Sequence, residues 1–471
     1  MPEALVIGAG QAGGPLAGAL ARAGWSVTLV EREHAGGTCV NEGCTPTKTM
    51  IASAHAAHVA RHSARLGVHP GAVRVDLGQI VDRVQGIVDS FREGSEAGVV
   101  RAGVKLVSGT ARFTGVREVE VALNGGGTES FRADSVFINA GARPRLPEIP
   151  GLAEVGAMTS REILHLRDLP SHLLILGGGY ISLEFAQLFA RLGSRVTVID
   201  PGPRLLARED EDVAAALQQA LEGEGVHFVL GSQVARAERN GEEVTLQLTG
   251  ASREPQAAEQ TLSGSHLLVA VGRIPNTEAL NVQATGAALD RHGFIVVDDH
   301  LQAAEGVYAL GDIKGGPAFT HISYDDYRIV RDAVLHGQQR RVSQRLVPYT
   351  LFTDPQLGRV GLDRQQAQKL DRPTRIYTLL MTSVARAIET GATAGLMRAV
   401  VDDQTDQVLG VTVLGPEGGE IMSALQLAMM GGLTATTLRN AALAHPTLSE
   451  SINNLFMGVP EVVQGEAGAA D

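Results

Sequence analysis

Cysteine occurs only twice among 471 residues, at Cys39 and Cys44, tryptophan once and tyrosine six times. Two cysteines cannot staple a chain of this size into a disulfide framework, and they fall short of the four ligands of a structural zinc site, so no metal site is expected. In a reducing compartment a close pair points to catalytic chemistry instead. No run of about eighteen apolar residues occurs, so no membrane-spanning helix is expected. The start, EALVIGAG, enters a buried-strand pattern at once and lacks the basic leader of a signal peptide. A net charge of −12 leaves no basic surplus for nucleic acid or an anionic membrane surface. The expectation is a cytoplasmic protein that binds neither.

Glycine, by contrast, is plentiful at 56 residues, which suits the tight strand-to-helix turns of α/β architecture. The segments 4–31 and 173–200 align without a gap. Gly8 matches Gly177, Gly10 matches Gly179, Ala17 matches Ala186 and Thr28 matches Thr197, and the two end on Glu31 and Asp200. Each reads as apolar strand, glycine turn, amphipathic helix and second strand. A chain carrying two such βαβ units is expected to hold two nucleotide-binding sheets. In the first unit Gly8, Gly10 and Gly13 leave room for a pyrophosphate at the helix N-terminus, where N–H groups and the helix dipole favour negative charge. Glu31 is placed to accept hydrogen bonds from a ribose.

The second unit keeps Gly177 and Gly179 but has Ser182 at the third position, a packing site where serine is small enough. Asp200 favours a free ribose 2′-hydroxyl over a 2′-phosphate, hence NADH before NADPH, with Arg204 close enough in sequence to soften that preference. Each unit is followed by an apolar strand ending in glycine, DSVFINAGARP with Gly141 and SHLLVAVGRIP with Gly272. Neither pattern recurs beyond 345, where alternating apolar residues and helical stretches around 419–431 and 449–457 imply a third, α+β domain. The expected division is a discontinuous domain of 1–149 and 277–346, an inserted domain of 150–276, and a C-terminal domain of 347–471. The last ten residues read as a loose tail.

The stretches GAGQAG, GGTCVNEGCTPTK, GGGYISLEFAQLFARLGS, VAVGRIPNT, VYALGDI and AHPTLSE occur in this order. The chain resembles the class I pyridine nucleotide-disulfide oxidoreductases, which include dihydrolipoamide dehydrogenase, glutathione reductase and mercuric reductase. The resemblance runs from about residue 3 to 460, carried most specifically by the two-cysteine and AHPTLSE stretches. It implies two Rossmann-like domains, for FAD and for NAD(P), plus a C-terminal α+β dimerisation domain. It also implies a homodimer that passes electrons from NAD(P)H through FAD to a Cys39–Cys44 disulfide. Gly8, Gly10, Gly13, Glu31, Thr38, Lys48, Gly141 and Asp312 would then bind FAD. Asn139 stands where the motif has alanine and is expected to matter little. Gly177, Gly179, Tyr180, Glu184, Asp200 and Gly272 would serve NAD(P), with Tyr180 as a gate over the flavin and Lys48–Glu184 as an ion pair beside it. Cys44 would face the flavin as a thiolate and Cys39 would exchange with substrate. His445, oriented by Glu450, would carry protons to the other subunit's site. A helix N-terminus that lowers a thiol pKa and a histidine titrating near neutrality suit those roles on physical grounds.

The acceptor is left open. The second glycine motif and TPTKTM look most like the mercuric reductase branch, yet no cysteine follows Cys44, so the C-terminal pair that collects Hg(II) there is missing. Two thiolates can still bind a soft metal ion. Dihydrolipoamide dehydrogenase is the second reading, against which stand Leu443, where that enzyme has a histidine, and Thr45 after Cys44. A flavin-only reductase of quinones or oxygen and a non-catalytic flavin redox sensor complete the alternatives. His321 is expected to be a packing residue, and His55, His58 and His62 a solvated helix face.

Overall fold

The computed structural model describes residues 1–250 and 260–465. Glu3–Ile7 is buried along all but its first residue, as a parallel strand covered on both faces must be. It pairs in parallel with Ser26–Glu31 on one side and Ser135–Ile138 on the other. Lys105–Gly115 and Val307–Ala309 extend the parallel core outward. An antiparallel flap of Glu118–Leu123 and Thr128–Arg132, with Gln302–Ala304 at the opposite edge, completes an eight-stranded sheet. The chain leaves this sheet after Ser135–Ile138 and rejoins it at Gln302–Ala304 and Val307–Ala309. Helix Gly13–Arg22 packs on the sheet through Leu16, Ala17 and Leu20, all buried.

The excursion builds a second parallel sheet in the order Val226–Leu230, Arg195–Asp200, His172–Leu176, His266–Val269. Helix Tyr180–Leu192 covers it with Phe185, Leu188 and Phe189. A three-stranded antiparallel sheet of Ser232–Asn240, Glu243–Gly250 and Gln260–Gly264 lies at its side. Where the chain leaves and returns, Ala142–Pro144 pairs antiparallel with Arg273–Pro275.

The C-terminal part is a six-stranded antiparallel sheet in the order Tyr349–Leu351, Gln356–Gly361, Val408–Gly415, Leu396–Asp402, Thr374–Leu380, Glu461–Val463. Helices Gly418–Met430 and Ser451–Met457 pack on it. The expected loose tail is corrected here: Glu461–Val463 pairs with Thr374–Ile376, and Val463 is buried. Residues 466–471 of that tail lie outside the described residues. Leu427, Met430 and Leu433 present apolar side chains to the surface. No helix among the described residues is long and apolar enough to cross a membrane.

Candidate active site

In the first βαβ unit the turn between strand and helix is forced to be glycine at two points. Gly8 has φ +97°, and a β-carbon there would lie 2.3 Å from the Asn139 carbonyl oxygen; one on Gly13 would lie 2.0 Å from the Gly8 oxygen. Asn139, expected to matter little, is buried and ties the turn together. Its Oδ1 accepts from the Gly13 N–H at 2.9 Å and its Nδ2 donates to the Leu310 carbonyl at 2.8 Å. One side chain thus joins the start of the first helix to the loop that leads into Asp312. Glu31 lies at the end of its strand and accepts the Ala9 N–H at 2.7 Å. Gly141, with φ +66°, accepts from the Asn276 N–H through its carbonyl.

These features fit a flavin dinucleotide. A cleft of about 300 Å³ beside the turn is lined by Gly10, Gln11, Gly36, Gly94 and Gly98 among others, with glycine at nearly half of its positions. Gly37 is so close that a β-carbon would come within 2.7 Å of Gly10 Cα, so the redox segment packs directly on the nucleotide turn. Asp312 is largely enclosed, and burial raises its carboxyl pKa above the usual range. Its nearest cation is Arg273, Nε to Oδ2 3.9 Å, and that buried Nε has no hydrogen-bond partner among the described residues.

The second unit repeats the geometry. Gly177 has φ +106°, and a β-carbon there would lie 2.6 Å from the Ala270 oxygen. Asp200 accepts from the N–H groups of Gly178 and Gly202, both at 2.6 Å. Gly179 immediately precedes the helix, and Gly272, φ +115°, accepts from the Arg145 N–H. The Arg204 guanidinium donates to the carbonyls of Leu206, Ala207 and Glu209, on its own loop. Tyr180, the first residue of the helix, donates its phenol to Glu209 Oε1 at 2.6 Å.

The cysteines fall on two consecutive helices, Cys39 in Gly37–Asn41 and Cys44 as the first residue of Cys44–His62. Pro46 sits in that first turn, where a missing N–H costs nothing. Cys44 Sγ lies 3.2 Å from Thr320 Oγ1. Its thiol pKa is lowered to about 6 by a hydrogen bond from Cys39, against burial and with help from Thr320 and the Lys48 ammonium. Cys39 is pushed the other way by the same bond and by burial, so the pair holds one thiolate, at Cys44. One turn along, Lys48 Nζ pairs with Glu184 Oε2 at 2.6 Å. Glu184 is buried, and its other oxygen accepts the Phe352 N–H at 2.9 Å. Lys48, Glu184 and Phe352 thereby join all three parts of the chain one helical turn from Cys44. Thr38 is exposed on the cysteine segment, its carbonyl accepting from Glu42 N–H.

His445 and Glu450 are brought together, Nδ1 to Oε2 2.9 Å, which leaves Nε2 facing outward. Within one chain neither bonds to Cys39 or Cys44. His321 is exposed, stacked on Phe319 and bonded to the Pro348 carbonyl. The expectation for His58 is corrected: it is part-buried, 3.7 Å from Glu224, in a charged cluster with Arg191. No cluster of metal-binding side chains occurs among the described residues.

Four residues of the site had no sequence signal: Thr320 on Cys44, Phe352 on Glu184, Asn139 on Gly13 and Glu209 on Tyr180 all act across long separations in the chain. Glu42 did have one, a carboxylate between the two cysteines. It is paired with Arg161, and burial raises its pKa.

Comparison with known proteins agrees with this geometry. Residues 2–326 match the pyridine nucleotide-disulphide oxidoreductase family model, and residues 347–456 match the dimerisation domain of that family. The chain belongs to the pyridine nucleotide-disulphide oxidoreductases. It is 35% identical to the probable pyridine nucleotide-disulfide oxidoreductase RclA of Escherichia coli, over 96% of this chain and 98% of that one. It is 31% identical to a Staphylococcus aureus mercuric reductase, over 96% of this chain and 81% of the relative. A Halobacterium salinarum dihydrolipoyl dehydrogenase is 32% identical over 95% of this chain and 94% of its own. The solved Cu(II) complex of the HOCl-induced flavoprotein disulfide reductase RclA superposes with a TM-score of 0.87 at 34% identity, covering 97% of this chain and 99% of that one. The protein is therefore an FAD-dependent disulfide oxidoreductase that uses NAD(P)H, built as a homodimer.

Proposed function

We propose that the enzyme takes its electrons from NADH, with NADPH second, and delivers them through Cys39 and Cys44 to a metal ion, copper first. The observation that supports this most is the thiol pair itself: one thiolate at a helix start, beside a second thiol, with no further cysteine in the chain to relay mercury. The Cu(II) complex of RclA points to the same ligand. When bound, FAD supplies the acceptor for a hydride from the nicotinamide and hands the electron pair to sulfur.

The chain's residues have separate tasks in this reading. Gly8, Gly10, Gly13, Glu31, Thr38, Gly141 and Asp312 hold FAD, within a domain of 1–149 and 277–346. Gly177, Gly179, Asp200 and Gly272 hold the nucleotide in the inserted domain, 150–276. Lys48 and Glu184 fix a positive charge beside the flavin, and Tyr180 covers the nicotinamide position. The C-terminal domain, 347–471, forms the dimer. His445 of the partner subunit, its ring oriented by Glu450, moves the proton at Cys39 Sγ. The reduced pair, Cys44 thiolate and Cys39 thiol, then gives two electrons to two Cu(II), yielding two Cu(I), the disulfide and the one proton of Cys39. A cytoplasmic location, where thiols stay reduced, belongs to the same reading.

The test is anaerobic NADH oxidation by the wild type, Cys39→Ser and Cys44→Ser against Cu(II), Hg(II), lipoamide, oxidised glutathione and a quinone. Turnover with Cu(II) that both substitutions abolish is the expected result. Faster turnover with lipoamide moves the protein to the dihydrolipoamide dehydrogenase reading. Quinone turnover indifferent to both cysteines, or the same indifference when oxygen is admitted as acceptor, moves it to a flavin-only reductase. No turnover above free flavin leaves a redox sensor.

A further inference from the structure

Glu209 is 1% exposed and belongs to a loop of the NAD(P) domain, yet three side chains converge on it. Tyr180 and Tyr349 both donate their phenols to Oε1 at 2.6 Å, and Arg359 Nη1 meets Oε2 at 3.1 Å. Tyr180 opens the helix that follows the second glycine turn, one turn ahead of Glu184. Tyr349 and Arg359 come from the C-terminal sheet. Burial, and then the charge of Glu209, raise both tyrosine pKa values, so each phenol keeps its proton and stays a donor. The far face of Tyr349 stacks on Phe319, 5.5 Å between centroids at 7°, and the next residue is Thr320, the hydroxyl at Cys44.

We propose that Glu209 is the latch of the Tyr180 gate: it holds the phenol in the resting position, and each nicotinamide that enters must draw Tyr180 off this carboxylate. The inference rests on the reading of Tyr180 as that gate. The arrangement lets the gate move alone. When Tyr180 leaves, Arg359 and Tyr349 still satisfy Glu209, so no bare charge is left buried and only one hydrogen bond is given up. Arg359 is itself fixed on the far side by Asp363, at 2.5 Å, and by Gln366. A closed resting state lowers the apparent affinity for NADH by the fraction of molecules that are open, without touching the rate once NADH is in place. Glu209 is thus a positioning residue, and its effect belongs in the affinity for NADH alone.

Stopped-flow reduction of the FAD-loaded homodimer by NADH, without oxygen, separates the two quantities. Tyr180→Phe keeps the ring and removes the bond. It is expected to lower the NADH dissociation constant about tenfold, as loss of one charge-assisted hydrogen bond implies. Because Tyr180 itself covers the nicotinamide position, the limiting reduction rate is read on Glu209→Gln, where it should not change. Glu209→Gln should move the same constant in the same direction by less, because an amide oxygen still accepts a phenol; if it folds poorly, Tyr180→Phe carries the test. Tyr180→Ala separates the failures. If Tyr180→Ala changes NADH binding while Tyr180→Phe behaves as wild type, the gate stands and the latch is overturned. If Tyr180→Ala also behaves as wild type, Tyr180 is no gate and the latch falls with it.

Discussion

In the first βαβ unit the N–H of Gly13 is held by Asn139; in the second unit the matching positions are Ser182 and Ala270, and that bond does not exist. The backbones are otherwise alike. Gly8 and Gly177 both have positive φ and both press against a strand carbonyl, of Asn139 and of Ala270. Glu31 and Asp200 both reach back to the turn's own N–H groups, of Ala9 and of Gly178. The difference lies in what fills the space behind the turn. Asparagine fills it in the first unit, by bonds to Gly13 and Leu310, whereas the second unit puts the Ser182 hydroxyl there, buried and without a hydrogen-bond partner among the described residues. In the proposed assignment, the unit that would hold the resident cofactor is thereby stitched to the loop of Asp312, and the unit that would release its nucleotide at every turnover lacks that stitch.

Exchanging residues between the units tests that contrast. Gly13→Ser copies the second unit into the first and sets a β-carbon 2.0 Å from the Gly8 carbonyl oxygen. This overlap is expected to cost more than about 3 kcal/mol and to yield protein without its yellow colour, read from the flavin-to-protein absorbance ratio. Asn139→Ala leaves the Gly13 N–H and the Leu310 carbonyl unsatisfied inside the protein. A loss of about 3 kcal/mol is expected, seen as a lower Tm and faster FAD release on dilution. Removing the carboxylate of the second unit by Asp200→Ala should raise the KM for NADH about tenfold with FAD content unchanged. The smallest effect belongs to Ser182→Gly, which removes a hydroxyl with no hydrogen-bond partner among the described residues and should shift stability by no more than about 1 kcal/mol. Equal losses of FAD in Asn139→Ala and Ser182→Gly would erase the contrast.

The repeat, the glycine turns and the cysteine pair were legible because each is a local pattern. Strand, turn and helix follow one another within 4–31 and again within 173–200, and periodicity reports them directly. Asn139 was misjudged because its partners, Gly13 and Leu310, lie far away in sequence, and nothing beside it in INAGARP marks a buried amide. Glu209 was invisible for the same reason: ARED reads as a solvated charged turn, and only the fold brings Tyr349 and Arg359 onto it. Val462 and Val463 were taken for tail because small and polar residues follow them, while their pairing partners Thr374 and Arg375 lie in another segment. Arg204 was placed correctly in sequence but its guanidinium turns back on its own loop carbonyls.

The central claim is that Cys44 is the thiolate through which the electron pair leaves the flavin. Anaerobic titration of the FAD-loaded enzyme with NADH, followed through the visible spectrum, tests it most directly. After two electrons the wild type should keep its oxidised-flavin absorbance and gain a long-wavelength band, and Cys44→Ser should show no such band. The Cys44 thiol pKa lies at about 6, below the ordinary thiol value, so the thiolate is complete above that pH and lost beneath it. The band should therefore be full at pH 8 and fall away as the pH drops through about 6. Simple bleaching of the flavin, alike in wild type and Cys44→Ser at every pH, would contradict the account.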